Sequence, residues 1–477
     1  MTAANPERIK VVGEVLDDKQ ESAVATSATK LWKLVSGSKC GAEPIAAADE
    51  PRVTGTKTTA AIALEVGADG RTTTTTFGEA IWPVARDALD TIGTPSLRLL
   101  PLSRLGAAEG LSGNRVLIGY FTAPVVVSGK IMPSRPMVVK ISKQPENNKI
   151  AEEYNCAVAV RKYALYNPGE FALPLFFDTV DGFGILWSPF SSSLPVLQSH
   201  EHSPSRLNLA IEDFSIHLRA QAGTPSGSNP GKINPVETIH AVYDLLKPLH
   251  SRGGMATPTR CSLVEEYKWY LRDFEEWRHE LCSIWGSKEH RDIEVDGRTR
   301  VNPLWVFERI QELRPVKLMV GAVQGDMHPR NVVFSERRSP HIIDFGWARD
   351  HSHAIKDFVL MECNLRFMVL QPLLSKDKIE AFARSITRAE LTHLTPVLAG
   401  DEYCTKRVEM LCALRERATD YVHDPDNDRR WHEQYTIPLF LVALGLLKLL
   451  RQADCQTAAL ATVLALAERI ASDVLKS

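Results

Sequence analysis

Apolar residues follow two different periods along the chain, and the change comes near residue 190. Before it, short runs rich in β-branched and aromatic residues are separated by polar turns, which is typical of β-strands. Two stretches with apolar positions three to four residues apart, 77–92 and 148–165, predict helices. The predicted strands are residues 97–102, 116–121, 136–142, 171–177 and 183–187.

Beyond residue 190 the helical period dominates. The predicted helices there are residues 207–221, 235–250, 263–285, 303–313, 357–370, 376–385, 388–398, 406–421, 439–452 and 457–475. Strands that precede a long run of helices indicate an α+β protein. The pattern therefore predicts a small antiparallel sheet in an amino-terminal part, followed by a large and mainly helical carboxyl-terminal part.

Three polar residues, Asp326, Asn331 and Asp344, stand at the ends of two short β-forming runs. The polar segment 335–340 between these runs is typical of a hairpin connection. A hairpin would bring the beginning of one strand to the end of the other. Two carboxylates and a carboxamide would then share one small volume, a set of hard oxygen donors suited to Mg²⁺ and to a base for a hydroxyl nucleophile.

The spacing of these residues resembles the catalytic stretch of protein-kinase-like phosphotransferases. In that pattern an Asn follows the catalytic Asp by five residues, as Asn331 follows Asp326, and a metal-binding Asp-Phe-Gly follows farther on, as at 344–346. Gly-Asp-Met-His-Pro-Arg-Asn resembles the aminoglycoside phosphotransferase and choline kinase branch. Residues 343–350, followed by 356–358, resemble a bacterial subgroup with "ternary complex associated" domains. The alternative is a structural hairpin with carboxylates placed there by chance.

One lysine lies in the otherwise apolar strand 136–142. Lys140 would be costly in an interior strand unless it were paired, although the strand period of two also allows it to face solvent. The helix at 148–165 offers two partners, Glu152 and Glu153. Glu153 is preferred because it shares the apolar face of that helix, and Glu152 stays open as the alternative.

A glycine-rich turn lies between the first two predicted strands. It contains Gly110, Ser112 and Gly113, and backbone amides in such a turn can approach phosphate oxygens closely. An ordinary flexible hairpin is the alternative for this turn.

The resemblance to the kinase-like family implies a role for each candidate. Asp326 would accept or orient the proton of the acceptor hydroxyl, while Asn331 and Asp344 would hold Mg²⁺ on the ATP phosphates. Lys140, paired with Glu153, would position those phosphates under the glycine-rich turn.

One position departs from the family pattern. The family commonly has His two residues before the catalytic Asp, and this chain has Gln324 there. Gln keeps the capacity to donate and accept hydrogen bonds, so it can preserve the scaffold of the loop. His328 is interpreted mainly as part of the loop architecture.

The composition is ordinary, with 44% apolar and 24% charged residues among 477. Fifty-six Lys and Arg against 58 Asp and Glu give no indication of nucleic-acid binding. The amino terminus lacks an apolar core, so we expect no signal peptide, and the longest apolar run, 437–447, is too short to span a membrane. Eight cysteines without a Cys-x-x-Cys pair favour a reducing cytoplasm and no structural zinc.

These observations predict three regions and an activity. Residues 1–75 would be a variable, partly ordered extension with a short helix at 31–35, residues 76–190 an ATP-binding amino lobe, and residues 191–477 a helical carboxyl lobe with the catalytic loop at 323–350. The expected reaction is ATP- and Mg²⁺-dependent transfer of a γ-phosphate to a hydroxyl of a small-molecule acceptor; GTP stays open as the nucleotide. The second interpretation is a nucleotide-binding module of a bacterial signalling or conflict system, with a protein partner and little transferase activity.

Overall fold

The chain divides into two compact units in a computed structural model. The first unit contains Met1–Phe214 and Asn331–Arg349, and the second contains Ser215–Arg330 and Asp350–Ser477. The limits predicted at residues 75 and 190 stay predictions. The structure describes residues 10–12, 17–37, 63–66, 72–75, 96–104, 115–122, 137–143, 149–164, 170–191, 209–211, 213–221, 233–252, 256–272, 274–335, 338–368, 375–385, 398, 401–425, 427–449 and 453–475.

The strands and helices of the described residues are numbered along the chain. The strands are β1 (Lys10–Val12), β2 (Ala63–Val66), β3 (Thr72–Thr75), β4 (Ser96–Arg104), β5 (Arg115–Thr122), β6 (Met137–Lys143), β7 (Phe176–Val180), β8 (Phe183–Pro189), β9 (Leu209–Ile211), β10 (Thr257–Cys261), β11 (Asp292–Val295), β12 (Arg298–Val301), β13 (Val316–Val323), β14 (Val332–Phe334), β15 (Pro340–Ile342) and β16 (Arg349–His353). The helices are α1 (Asp18–Gly37), α2 (Lys149–Ala164), α3 (Phe214–Gln221), α4 (Pro235–His250), α5 (Leu263–Tyr267), α6 (Phe274–Trp285), α7 (Pro303–Gln311), α8 (Lys356–Cys363), α9 (Lys376–Ser385), α10 (Glu402–Ala418), α11 (Asp428–Trp431), α12 (Ile437–Leu446) and α13 (Ala453–Asp473).

A sheet with the order β1-β4-β5-β6-β8-β7 dominates the first unit, and β9 pairs with β4. Helices cover both faces of this sheet near β8. Leu186 and Phe177 oppose each other on β8 and β7 and pack against α2. Trp187 points to the other face because side chains alternate along a strand, and its indole N–H donates to Ser27 Oγ of α1 at 3.0 Å. Lys140 opposes Leu186 and therefore faces the α2 side.

The predicted hairpin is present in the first unit. Strands β14 and β15 pair antiparallel, with Val332 opposite Ile342. The turn between them is closed by a hydrogen bond from the Ser335 N–H to the Ser339 carbonyl at 3.0 Å. Phe171 forms a parallel bridge to Ile342, which ties the hairpin to the segment before β7.

The second unit is mainly helical. Its three-stranded sheet has the order β10-β13-β16, and β11 pairs with β12 as a separate hairpin. The central strand β13 ends in four buried residues and leads into the segment Gln324–Arg330. The apolar run near 437–447 forms α12, which is buried along its length. No helix among the described residues is long and apolar enough to cross a membrane.

The predicted α+β class is confirmed, with an antiparallel sheet first and helices after it.

Several boundaries of the helices and strands differ from the prediction. The single helix predicted at 263–285 is two helices, α5 and α6, separated by turns. The residues after α6, where no element was predicted, contain the β11–β12 hairpin. Asp296 and Gly297 have φ of 52° and 70°, the conformation of a tight two-residue hairpin turn. The charged side chains of that hairpin concealed its alternation.

Candidate active site

Lys140 lies between two carboxylates of the first unit. Its Nζ is 2.6 Å from Glu153 Oε1 and 3.5 Å from Asp344 Oδ1. Glu153 comes from the buried face of α2, whereas Glu152 is exposed. The three charged groups therefore come from β6, α2 and the end of the β14–β15 hairpin. Lys140 and Glu153 are largely buried, while about a third of the Asp344 side chain is exposed (35%).

Asp344 is held in place by its backbone. Its φ of 61° is left-handed, a conformation that Asp tolerates better than most residues. On one side, the Ile343 N–H donates to the Asn331 carbonyl at 3.0 Å, which joins the two predicted metal ligands through the backbone. On the other side, Phe345 is buried and packs edge-to-face against Phe171 with ring centroids 6.0 Å apart. The carboxylate direction is therefore set by buried neighbours.

Burial raises the pKa of Glu153 to about 7, and the Lys140 charge opposes this shift while Asp344 adds to it. The Lys140 ammonium therefore meets two acidic groups in different environments. The second, Asp344, keeps solvent access. A lysine ammonium that lies next to a solvent-accessible group is suited to bind an anion such as a phosphate.

The segment that carries Asp326 lies in the second unit and is fixed by hydrogen bonds to a buried carboxylate. Asp357 accepts from the Gln324 N–H at 2.9 Å and from the Gly325 N–H at 2.7 Å. Gly325 has a φ of 83°, which favours glycine. The Gln324 side chain accepts from the Asp326 N–H at 2.8 Å, so Gln324 does support the loop as expected.

Residues that sequence reasoning did not select complete this support. His250 Nε2 lies 2.8 Å from Asp357 Oδ2, and since a carboxylate accepts, the imidazole N–H donates. The Tyr270 hydroxyl donates to the Gly325 carbonyl at 2.7 Å. The sequence signal for Asp357 was its place in the run 356–358, which follows residues 343–350 in the resemblance to the subgroup. His250 and Tyr270 gave no signal of their own.

The other candidates are placed as follows. His328 Nε2 is 3.6 Å from Asp326 Oδ2, with both side chains partly exposed. Gly110, Ser112 and Gly113 lie outside the described residues. The structure thus brings together Lys140, Glu153 and Asp344, and joins Asn331 to Ile343, in the first unit. Asp326 belongs to the second.

The donor set suits a magnesium ion delivered with a nucleotide. The described residues contain no group of three or more His, Cys, Asp or Glu side chains that could hold a metal alone. Mg²⁺ is usually bound by one or two protein oxygens together with substrate phosphates and waters, and Asn331 and Asp344 offer such oxygens. These residues fit Mg²⁺ with a phosphate ligand better than a metal held by protein only.

Comparisons with known proteins bear on the same stretch. Residues 246–448 match the model of the family described as "Ternary complex associated domain 9", a range that includes the Asp326 loop and Asp344. The resemblance predicted for this subgroup is thereby confirmed. No curated protein sequence matches significantly.

Solved structures of small-molecule kinases are similar to the chain at low sequence identity. A glucosamine kinase is 14% identical with a TM-score of 0.33, covering 87% of this chain and 91% of its own. A choline kinase from Streptococcus pneumoniae is 11% identical with a TM-score of 0.32, covering 81% of this chain and 97% of its own.

Proposed function

We propose that the protein is an ATP- and Mg²⁺-dependent phosphotransferase that transfers the γ-phosphate to a hydroxyl of a small-molecule acceptor. The observation that carries the proposal is the position of Lys140 between buried Glu153 and partly exposed Asp344. Burying a lysine–carboxylate pair costs desolvation free energy, and such groups with perturbed pKa values are concentrated at binding and catalytic sites. The order along the chain, Lys140, Glu153, Asp326, Asn331 and Asp344, supports the same assignment.

Each residue has one task in this proposal. Asn331 and Asp344 would hold Mg²⁺, which would neutralise charge on the phosphates, and the leaving group would be the nucleoside diphosphate. Lys140 would bind the phosphates, and Glu153 would keep Lys140 in place. The acceptor oxygen forms the new bond to the γ-phosphorus while its proton passes to Asp326. Asp357 and Gln324 would hold the Asp326 backbone during this step.

Substitution of the base separates chemistry from binding. Asp326→Asn should lower the release or transfer of labelled γ-phosphate about a hundredfold or more, because general base catalysis typically contributes that much. Nucleotide affinity, measured by calorimetry with Mg²⁺, should stay within about twofold. The exposed Asp292→Asn is the matched control and should behave as the wild type. Wild-type protein that binds Mg-ATP but shows no turnover with water or a panel of alcohols would refute the transferase proposal.

A nucleotide-binding module is the second candidate. The match to "Ternary complex associated domain 9" favours it, because that description concerns assembly and names no reaction. In this case ATP would order a surface for a protein partner. The same experiment decides: Mg-ATP affinity without turnover in the wild type, and no effect of Asp326→Asn, would support the module. Competition between ATP and GTP in the binding assay would identify the nucleotide.

A cytoplasmic setting in a bacterium belongs to the same proposal. The proposal is supported by six cysteines of the described residues that are free thiols, since disulfides are rare in a reducing compartment: Cys156, Cys261, Cys282, Cys363, Cys404 and Cys412.

A further inference from the structure

The side chain of His328 approaches the proposed base. His328 Nε2 lies 3.6 Å from Asp326 Oδ2, within the range of an ion pair but longer than a hydrogen bond. About a quarter of each side chain is accessible to solvent, 21% for His328 and 24% for Asp326. Catalytic hydrogen bonds are often long in a protein without substrate and shorten when the substrate arrives. The distance between His328 Nε2 and Asp326 Oδ2 can therefore shorten to that of a hydrogen bond during the reaction.

The other ring nitrogen indicates where the proton of His328 lies. Within the described part of the chain, the buried Nδ1 of His328 has no hydrogen-bond partner. A buried N–H without an acceptor costs more than a bare ring nitrogen, which carries only a lone pair. This favours the tautomer with a bare Nδ1 and a proton on Nε2. In this tautomer the ring directs an N–H donor toward the Asp326 carboxylate.

We propose that His328 is a positioning residue for Asp326: its Nε2–H fixes the rotation of the carboxylate that receives the acceptor proton. This inference rests on the proposed phosphotransferase function. The Asp326 backbone is held separately, because its N–H donates to Gln324 Oε1 at 2.8 Å. Backbone and carboxylate thus have independent supports. The step requires no proton from His328, since the acceptor proton goes to Asp326.

Three substitutions of His328 test the role, because two of them place an amide at different ring positions. The Gln amide reaches the position of Nε2 and should retain most of the wild-type kcat for γ-phosphate release. Asn reaches only the position of Nδ1, and Ala reaches neither. Both should lose about tenfold in kcat, as expected for one hydrogen bond to a charged group, without a change in KM for ATP. His279→Ala, at an exposed histidine on α6, is the control.

The pattern among the variants decides between positioning and a merely structural role. His328→Gln falling as far as His328→Ala, or equal activity in all variants, would overturn the proposal. A parallel rise in KM for ATP would also overturn it, because His328 would then serve the nucleotide site. If His328→Ala fails to fold in a thermal scan, the Gln and Asn variants still give the comparison.

Ring ¹⁵N resonances of selectively labelled histidine provide a readout that needs no turnover. His328→Asn assigns the signal. We expect the Nε2-protonated tautomer in the wild type and a mixture of tautomers in Asp326→Asn, which lacks the carboxylate charge. The same tautomer ratio in both proteins would refute the contact. An inactive wild type would refute the proposed function alone, and this spectrum would still decide whether Asp326 controls His328.

Discussion

Two buried glutamates show that the number of cations around a buried carboxylate determines its pKa. Burial raises the pKa of Glu153 to about 7 despite Lys140. Burial also acts on Glu362, but Arg415 and Arg366 outweigh it and lower its pKa to about 2. Glu362 accepts further from the Tyr435 hydroxyl at 2.5 Å. Glu362 is thus a stabilised anion that balances buried guanidinium groups, whereas Glu153 is held near its protonation threshold.

Glutamine at these two positions should therefore have unequal effects. Glu362→Gln leaves Arg366 and Arg415 buried without the carboxylate and should cost roughly 3–5 kcal/mol of unfolding free energy at pH 7. Glu153→Gln should cost less than about 1 kcal/mol, because the amide still accepts from Lys140 and carries no charge to bury. Urea unfolding of both variants measures the difference. Equal losses would contradict the electrostatic assignment.

His353 gives a pH dependence of defined sign. Burial lowers the pKa of His353 from 6.5 to about 3. Between these two pH values the unfolded chain therefore binds a proton at this histidine and the folded protein does not. Its contribution to stability is complete above pH 6.5 and is lost as the pH falls toward 3. His353→Asn keeps a polar amide near the position of Nδ1, which forms a hydrogen bond with the Tyr267 hydroxyl at 2.9 Å in the wild type, and Asn does not titrate. Between pH 6 and 4 we expect the unfolding free energy of this variant to fall less steeply than that of the wild type, by about 1.4 kcal/mol per pH unit. The exposed His351→Asn is the control.

At the scale of elements, the contact between β13 and α4 depends on a glycine. A Cβ on Gly321 would lie 1.7 Å from the His250 carbonyl oxygen and 2.7 Å from its carbon. Both are backbone atoms, so relief requires that the strand and the helix separate. Gly321→Ala should destabilise the protein by about 3 kcal/mol or more and disturb the His250–Asp357 hydrogen bond. In Gly346→Ala the new Cβ would meet its nearest atoms at 3.6 Å or more, so its melting temperature should stay near wild type. A Gly321→Ala variant as stable as the wild type would mean that β13 and α4 lie farther apart at this point.

Local patterns explain which elements the sequence could predict. The period of two around Lys140, the helical period that puts Glu153 on the buried face, and the polar turn of the β14–β15 hairpin all involve residues close in sequence. The support of the Asp326 loop does not. Asp357 is 33 residues from Gln324 and 107 from His250, and such pairs leave no periodicity to detect.

The amino-terminal helix was underestimated for a different reason. The expected short helix at 31–35 is part of α1, which begins at Asp18. Its buried side chains near the start are small, Ala23, Val24 and Ala28, so they gave little hydrophobic signal. Their burial depends on the sheet face that α1 covers, which is a tertiary property. The catalytic and metal-binding roles stay predictions, because residue spacing indicates where groups lie and only chemistry shows what they do.

At the scale of the whole molecule, the candidate residues are divided between two units. Lys140, Asn331 and Asp344 belong to the first and Asp326 to the second. A ligand bound by first-unit residues raises the unfolding free energy of that unit. The unfolding free energy of the second unit rises only if the two units unfold together. Mg-ATP at a hundred times its Kd should add about 2.7 kcal/mol to the unfolding free energy.

Hydrogen exchange can show which unit is stabilised, since β6 reports on the first unit and α12 on the second. Asp344→Asn should abolish the Mg²⁺-dependent protection of β6, while Asp326→Asn should retain it. Equal loss in both variants would show that Asp326 serves nucleotide binding instead of proton transfer.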